Sequence, residues 1–244
     1  MKYPGYCLIC GWPTLFCVEK DNLRETVICK VCWSLNRQRQ LIAVLLNRMG
    51  FTGVHARLAN LPRDIRLWNL ETKRTLHERL SKHLGSNYIS SEYLAPSIPS
   101  GTVRDGILHV DIQNTHFADE SLDVILSSDV FEHIPEPRQA IRETHRILRR
   151  GGMHVFTAPF SPDRFTTERR AVLDETGGLR HLLPPEYHSD PIRPEQGALV
   201  YNVFAPELLC DLETAGFEPE LYFLHDPVRG ILGDTGFVIA ARKP

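Results

Sequence analysis

Four cysteines near the N-terminus have the spacing of metal ligands. Cys7 and Cys10 form one C-x-x-C pair, Cys29 and Cys32 form another, and 18 residues separate the two pairs. In a four-cysteine zinc site, each such pair turns two thiolates toward one ion about 2.3 Å away. Because four protein ligands leave no open position for water or substrate, the spacing predicts a structural Zn²⁺ site and not a catalytic one.

The chain has six cysteines. Its first residues lack the apolar stretch of a secretory signal, so a disulfide scaffold is not expected. Two alternatives to zinc stay open, namely four unrelated core cysteines and a thioredoxin-like redox pair. We expect Cys17 and Cys210, which lie outside the pattern, to be small buried hydrophobic residues.

The residues after the last of these four cysteines predict one amphipathic helix. It runs from Trp33 to Met49, with Ser34 as its N-cap and a glycine directly after it. Arg37 and Arg39 near its start would lie close to the zinc site. They would either contact an anionic partner or extend into solvent, and we favour solvent.

From about residue 64, short apolar runs alternate with helical stretches, which is typical of an α/β domain. Seven strands are expected in a doubly wound, mostly parallel sheet, at 65–70, 87–90, 107–110, 124–127, 154–158, 220–224 and 237–241. Helices are expected at 75–84, 138–148 and 206–215. We therefore divide the chain into a zinc-ribbon head with its helix, residues 1–50, and an α/β domain, residues 51–244. A proline-rich insertion, residues 159–200, would leave the sheet at the edge where ligands bind.

The net charge of −2 conceals two oppositely charged parts. Residues 1–83 hold 14 Lys and Arg against 6 Asp and Glu, whereas residues 84–244 hold 14 against 24. The basic part would either meet an anionic partner or dock on the acidic part of the same chain, which we favour. The composition is that of a globular protein, and no apolar run predicts a membrane helix. We expect a cytoplasmic protein with no membrane partner.

The run from Leu108 to Pro159 resembles the central half of class I S-adenosylmethionine-dependent methyltransferases. It contains an Asp after the third strand, an F-x-D-x-S-x-D-x-I approach to the fourth, an EHI turn, and a helix that ends in RILRRGG. The four cysteines followed by SLNRQRQL further resemble a methyltransferase type 11-like subgroup with an N-terminal zinc ribbon. The resemblance implies a Rossmann-like sheet that binds S-adenosylmethionine.

The resemblance also implies the contacts of the adenosine part. Glu92, just past the second strand, would accept hydrogen bonds from both ribose hydroxyls, and Tyr93 would cover the adenine face. Asp111 and Ile112 would read the adenine, because the carboxylate accepts from the exocyclic amine and the aliphatic side chain packs on the ring. A carboxylate at a strand end is also often a helix cap.

Ser127, Ser128 and Asp129, at the end of the fourth strand, would line the methionine end. One departure concerns the turn after the first strand, where a D-x-G-x-G sequence is expected and the chain reads WNLETKRTLHERL. The zinc-ribbon subgroup keeps a Glu there, so Asn69 and Glu71 are assigned to the cofactor. If this turn does not bind the cofactor, the chain is a non-catalytic binding module.

Methyl transfer needs an aligned acceptor atom and a destination for its proton. His188, in the insertion, is our first candidate for the base, and Asp190 would orient it. His133, in the EHI turn, is the second candidate, with a structural role as the alternative in which it bonds the turn backbone or Glu132.

The sequence thus predicts an S-adenosylmethionine-dependent methyltransferase that acts on a small-molecule or glycan-type acceptor by O- or N-methylation. The acceptor would enter beneath the insertion, which would close as a lid. The alternatives are an RNA or protein methyltransferase whose zinc head grips its substrate, and the non-catalytic module. Nucleic acid is not favoured, because the chain lacks clustered Lys and Arg with interleaved aromatic residues.

Overall fold

The computed structural model describes residues 1–19, 21–190, 192–233 and 236–244. The predicted insertion, 159–200, includes residue 191, which lies outside the described residues. Within the described ranges, no helix has the length and apolar character needed to cross a bilayer. The cytoplasmic location stays a prediction.

The N-terminal segment forms a three-stranded antiparallel sheet that carries both cysteine pairs. Strands β1 (Lys2–Cys7), β2 (Trp12–Val18) and β3 (Val27–Cys29) pair in that order, and the short helix α1 (Leu23–Thr26) lies between β2 and β3. The first C-x-x-C pair therefore begins at the end of β1, and the second begins at the end of β3.

Both C-x-x-C turns close in the same way. The amide of Gly11 donates to the carbonyl of Cys7 at 2.7 Å, and the amide of Trp33 donates to the carbonyl of Cys29 at 2.8 Å. Gly11 (φ 74°) and Trp33 (φ 62°) both take a left-handed backbone conformation. Glycine adopts it at little cost and tryptophan does not, so the second turn stores backbone strain that the first avoids.

Helix α2 (Asn36–Arg48) follows, with Leu35 and not Ser34 at its N-cap position. The Ser34 hydroxyl lies instead 3.4 Å from the sulfur of Cys7 and 3.2 Å from that of Cys32. Most of α2 is buried, and its apolar residues share one hydrophobic cluster with residues of the head and of the central sheet. Residues on both sides of position 50 thus pack together, and the division of the chain at that position stays a prediction.

The α/β part begins with β4 (Leu67–Asn69), α3 (Arg74–Leu84), β5 (Tyr88–Ser90), β6 (Val103–Arg104), β7 (Ile107–Leu108), β8 (Leu122–Ser128), α4 (Pro137–Ile147) and β9 (Leu148–Thr157). The insertion then carries β10 (Glu168–Arg169), β11 (Ala171–Leu173), β12 (Leu179–His181), β13 (Tyr187–His188), β14 (Ala198–Leu199) and β15 (Asn202–Val203). These six pair as antiparallel ribbons, β10 with β15, β11 with β12 and β13 with β14. The chain ends with α5 (Glu207–Thr214), β16 (Glu218–Phe223) and β17 (Phe237–Arg242).

The central sheet has the strand order β16-β17-β9-β8-β4-β5. Strands β5, β4, β8 and β9 are parallel, whereas β17 runs antiparallel to β9 and to β16. This confirms the predicted α/β class with a mostly parallel sheet. Helices α3, α4 and α5 begin and end within one residue of their predicted positions.

The predicted strand 107–110 is only partly formed. Strands β6 and β7 make a two-residue hairpin, because Asp105 (φ 52°) and Gly106 (φ 77°) adopt the left-handed conformations of a tight hairpin turn. An isolated parallel bridge between Glu92 and His109 takes the place of a seventh strand. The sheet therefore has six strands in the part of the chain that the structure describes, and not the predicted seven.

Side chains alternate between the two faces of the sheet and build two cores. On one face, Leu126 and Val155 pack with α2 and α3, and on the other, Ile125 and Phe156 pack with α4 and α5. Both faces are covered, as expected for strands of a buried parallel sheet. A ligand can therefore approach the sheet at the ends of its strands.

Candidate functional site

A cavity of about 950 Å³ lies at the carboxyl ends of β4, β5 and β8, where open α/β sheets bind their ligands. Its volume is at the upper end of the range for ligand pockets, roughly 300–1,000 Å³. Residues of α1, of α2 and of the insertion form its other walls. The predicted site residues that line it are Glu71, Glu92, Tyr93, Asp111, Ile112, Ser128, Asp129, His133 and His188.

The turn after β4 closes without glycine. Asn69 is 2% exposed and donates from Nδ2 to the Glu71 carbonyl and to the Tyr88 hydroxyl, both at 2.9 Å. Arg74 then takes a left-handed conformation, φ 70°, which would cost least at a glycine. The side chain of Asn69 thus shapes the turn and is not among the residues that line the cavity.

Glu71 presents a buried carboxylate at the cavity wall. Its Oε1 accepts from Nε2 of Gln38 at 3.4 Å, whereas Oε2 is buried and has no hydrogen-bond partner among the described residues. Burial raises the pKa of Glu71 and outweighs the lowering influence of Arg37 and Arg74. A carboxylate with an unpaired buried oxygen suits a ligand that donates a hydrogen bond.

Glu92 and Asp111 are both held in place by neighbouring turns. Thr72 donates to Oε1 of Glu92 from its amide at 2.9 Å and from its hydroxyl at 2.7 Å, and burial raises the pKa of Glu92. Oδ1 of Asp111 accepts from the amide of Gln113 at 2.8 Å. The side chain of Asp111 therefore closes a turn. Both carboxylates also line the cavity.

Tyr93 and Ile112 supply the apolar surfaces beside these carboxylates. The ring of Tyr93 is 5.3 Å from that of His109 and lies 6.0 Å from the guanidinium of Arg193. Ile112 is 5% exposed. An aromatic ring and an aliphatic side chain in one cavity can hold a planar base between or against them.

Asp129 is bound by arginines from the N-terminal segment. Arg24 of α1 forms a two-point ion pair with its carboxylate, with Nη1 2.7 Å from Oδ2, and Nε of Arg37 lies 3.9 Å from Oδ2. Burial acts to raise the pKa of Asp129, but the two arginines outweigh it and the pKa is lowered. Arg37 also donates to the hydroxyl of Ser128. The head thus supplies a cationic wall of the cavity.

The expected solvent exposure of Arg37 and Arg39 is wrong. The Arg37 side chain is 12% exposed and Arg39 is fully buried. Arg39 donates to the carbonyls of Val27 at 2.6 Å and Gly230 at 2.8 Å, and its guanidinium lies 4.7 Å from the centre of the Phe16 ring. Of these contacts, the one with Gly230 joins the basic part of the chain to its acidic part.

His133 and His188 meet at Glu132. Their ring centres are 5.1 Å apart, and Oε1 of Glu132 lies 3.6 Å from Nε2 of His133 and 3.4 Å from Nδ1 of His188. Burial raises the pKa of Glu132, and the contact with Glu132 raises the pKa of His188. Asp190 is not the partner of His188, because it pairs with Arg193 at 2.8 Å. The pairing predicted between the two is therefore replaced by one with Glu132.

The four predicted metal ligands lie together. One ligand atom from each of Cys7, Cys10, Cys29 and Cys32 lies within 4.8 Å of the others, and the sulfurs of Cys7 and Cys32 are 3.7 Å apart. Two thiolates bound to one tetrahedral zinc ion would be about 3.8 Å apart. The cluster therefore has the geometry to hold one metal ion.

Three further residues lie away from both sites. The hydroxyl of Ser127 points into the protein, where it pairs with Nε2 of His154 at 2.8 Å. Cys17 is buried as expected, but Cys210 is exposed, so the expected burial of Cys210 is wrong.

Residues 74–156 match the family model of a methyltransferase domain. The match runs from α3 to β9, so these residues are similar to a methyltransferase domain. It includes Glu92, Asp111, Asp129 and His133 among the predicted site residues.

The chain is similar over part of its length to proteins that are named methyltransferases. The chain is 28% identical over 131 residues to malonyl-[acyl-carrier protein] O-methyltransferase 1 of Coxiella burnetii, over 49% of this chain and 44% of the relative. It is 33% identical over 101 residues to an uncharacterized methyltransferase of Mycobacterium marinum, over 41% and 40%. A solved S-adenosylmethionine-dependent methyltransferase from Mesorhizobium loti is 17% identical, over 75% of this chain and 94% of that one, with a TM-score of 0.46. The chain spans less than half the length of the curated relatives it matches.

Sequence reasoning did not place Arg24 or Arg37 in the cavity, nor Glu132 between the two histidines. The excess of positive charge in residues 1–83 was the available signal for the arginines. The residue with which they pair could not be predicted from the sequence, because it depends on how α1 and α2 pack against the sheet.

Proposed function

We propose that this chain is an S-adenosylmethionine-dependent methyltransferase, with the cofactor at the ends of β4, β5 and β8 and the acceptor beneath the insertion. The observation that carries the proposal is the cavity, because residues assigned separately to adenosine, to the methionine end and to the acceptor line one continuous space. The match of residues 74–156 to a methyltransferase domain supports it.

The adenosine part is assigned to Glu92, Asp111, Tyr93 and Ile112. Thr72 fixes one oxygen of Glu92, and Gln113 fixes one oxygen of Asp111, so neither carboxylate has to be ordered when the ligand binds. Pre-ordered polar groups lower the entropy cost of binding. Tyr93 and Ile112 give the adenine its apolar contacts.

The methionine end is assigned to the charged wall made by Asp129, Arg24 and Arg37. A methionine carboxylate would accept from an arginine, and the ammonium and sulfonium charges would lie near Asp129 or the unpaired oxygen of Glu71. Cofactor binding would then exchange part of the Arg24–Asp129 ion pair for contacts with the ligand. This exchange is how the missing glycine-rich turn would be compensated.

A small-molecule or glycan-type acceptor is favoured over a nucleic acid. Arg24, Arg37, Arg39 and Arg48 make ion pairs or hydrogen bonds with residues of the α/β part, so these cations of the basic segment are engaged within the chain. An RNA-binding surface would need such groups free to contact phosphates. The insertion, with His188 facing the cavity, would close over the acceptor.

The four-cysteine cluster is assigned to one structural zinc ion. The sulfur separation fits a tetrahedral shell, and four thiolates leave no position open for chemistry. Zinc would hold β1 and β3 together and so place α1, which carries Arg24, at the cavity.

Calorimetric titration with S-adenosylmethionine and its demethylated product tests the proposal. The wild-type protein should bind both, and Asp111→Ala should weaken binding by about 1–3 kcal/mol, roughly 5- to 150-fold, because buried donors of the adenine lose their acceptor. Asp64→Ala, an exposed carboxylate outside the cavity, is the matched control and should change nothing. No binding at millimolar concentration would refute the proposal and favour a non-catalytic module.

A further inference from the structure

Glu132 is a buried carboxylate that lies behind two residues of the cavity wall, His133 and His188. Its side chain is fully buried, and neither Oε1 nor Oε2 has a hydrogen-bond partner among the described residues. A buried carboxylate without hydrogen bonds is costly, and proteins keep one only where a cation balances it. The groups that face it are the rings of His133 and His188.

A hydrogen bond determines the tautomer of His133, and therefore whether the nitrogen that faces Glu132 carries a proton. Nδ1 lies 2.8 Å from the carbonyl oxygen of Leu199, which can only accept, so Nδ1 carries the proton. In the neutral ring Nε2 then presents a lone pair toward Oε1 of Glu132, 3.6 Å away. Two electron-pair donors face each other across a gap that is too long for a direct hydrogen bond.

His188 repeats this arrangement from the insertion. Its Nδ1 lies 3.4 Å from Oε1 of Glu132, and its Nε2 lies 3.6 Å from Oε1 of Glu186. Histidines that bind metals almost always have such an outer partner on the second nitrogen, either a carbonyl or a carboxylate. His133 has the carbonyl of Leu199 at 2.8 Å, whereas the carboxylate of Glu186, 3.6 Å from Nε2 of His188, would have to move closer to serve as such a partner.

We propose that Glu132, His133 and His188 bind one divalent transition-metal ion at the acceptor end of the cavity. One ligand atom from each lies within 4.8 Å of the others. Ligands about 2.1 Å from a common ion are about 3.0–3.5 Å apart, close to the 3.4 and 3.6 Å that separate Oε1 from the two ring nitrogens. Two histidines and one carboxylate leave further coordination positions open, as in catalytic sites for Fe²⁺, Mn²⁺ or Zn²⁺.

The ion would define the acceptor as a hydroxyl compound, an inference that rests on the proposed methyltransferase function. The acceptor oxygen would occupy an open position, where the metal lowers the pKa of the hydroxyl and its proton leaves to water. A lone pair of that oxygen then forms the new O–CH₃ bond, while the electron pair of the breaking CH₃–S bond stays on the cofactor sulfur. His188 would hold the metal and would not serve as the base.

Electron paramagnetic resonance of Mn²⁺ titrated into protein that carries no more than one zinc ion per chain tests the site. Mn²⁺ prefers oxygen and nitrogen ligands to thiolates, so the four-cysteine cluster does not compete for it. We expect one Mn²⁺ per chain in the wild type and at least about tenfold weaker binding in His188→Ala, since even an outer partner is worth 10- to 100-fold. His181→Ala, an exposed histidine of the same insertion, should bind as the wild type does.

His133→Gln removes a ligand from a different element and gives an independent loss of affinity if His188→Ala does not fold. Equal Mn²⁺ affinity in the wild type and in a folded ligand variant would overturn the proposal, as would a wild type that binds no Mn²⁺ at millimolar concentration. The second result would leave the histidines as an acid–base pair with Glu132. Cofactor titration is a separate measurement, so the metal site and the methyltransferase function can each fail alone.

Discussion

The ion pair between Arg24 and Asp129 links the N-terminal segment to the cavity and should be worth more than a surface pair. The two side chains are 18% and 19% exposed, and the contact is two-pointed. Arg24→Ala would leave Asp129 with Arg37 at 3.9 Å and the hydroxyl of Thr157 at 3.2 Å. Loss of one partner of a fully buried pair costs about 3–5 kcal/mol, and partial exposure reduces this to about 2–3 kcal/mol of unfolding free energy.

Urea unfolding followed by tryptophan fluorescence and circular dichroism measures this loss. Arg48→Ala is the matched control, because its pair with Glu220 is more exposed, 26% and 47%, and should be worth less than about 1 kcal/mol. A double-mutant cycle with Asp129→Asn isolates the coupling between Arg24 and Asp129, which we expect to be about 1.5–3 kcal/mol. A coupling below about 0.5 kcal/mol, or equal losses in the Arg24 and Arg48 variants, would refute the reasoning.

The pH dependence of this pair has a definite sign. The pKa of Asp129 is lowered in the folded protein, so its stabilising effect is complete above the pKa of an unfolded Asp, about 3.9, and is lost only as the pH falls through the lower folded value. The loss of stability in Asp129→Asn, which has no titrating group at this position, should therefore be constant from pH 8 to about pH 5. A loss that fades within that range would contradict the lowered pKa of Asp129.

Three further changes have expected outcomes. Cys29→Ser should abolish zinc binding, as measured by metal analysis. It should also lower the melting temperature of the whole protein, since the head and the sheet share one core. An unchanged melting curve for the α/β part would contradict this. Burial lowers the pKa of His154 to about 3, so below pH 6.5 this residue takes up a proton in the unfolded state alone. The free energy of unfolding then falls by up to about 1.4 kcal/mol for each pH unit that the pH is lowered. His154→Gln should make the denaturation midpoint depend less on pH between pH 6 and 4. Arg74→Gly should leave urea stability unchanged or raise it, because Arg74 has φ 70°, whereas Arg79→Gly within α3 should cost about 1 kcal/mol.

The central sheet was predictable because its strands are short apolar runs bounded by turns, and β8 and β9 are buried on both faces. The prediction of the third strand was wrong, and the reason is visible in the sequence. Asp105-Gly106 is a strong hairpin signal, and it diverts residues 103–108 into a hairpin of their own. A local turn preference thus overrode an apolar run that was too short to resist it.

The site was predictable where it depends on strand ends and not where it depends on packing. Glu92 and Asp129 follow strands of the parallel sheet, so their common cavity follows from its topology. The partners of Asp129 and of His188 come from distant segments, and their identity depends on how those segments dock. Asp190 was the expected partner of His188 because it is near in sequence, which was the wrong criterion.

Because of Arg39, loss of the metal would also destabilise the folded protein electrostatically. A zinc ion bound by four thiolates carries a net charge of about −2, and Arg39 is a buried cation whose Nη1 donates to the Ser34 hydroxyl at 3.1 Å, which in turn contacts two of the sulfurs. Without the metal, some of the adjacent thiolates would take up protons and part of the anionic charge would disappear, but the arginine would stay charged. The buried cation would then face less counter-charge, in addition to the lost coordination bonds. Removal of a bound zinc ion would therefore destabilise the folded head by more than the loss of the coordination bonds alone.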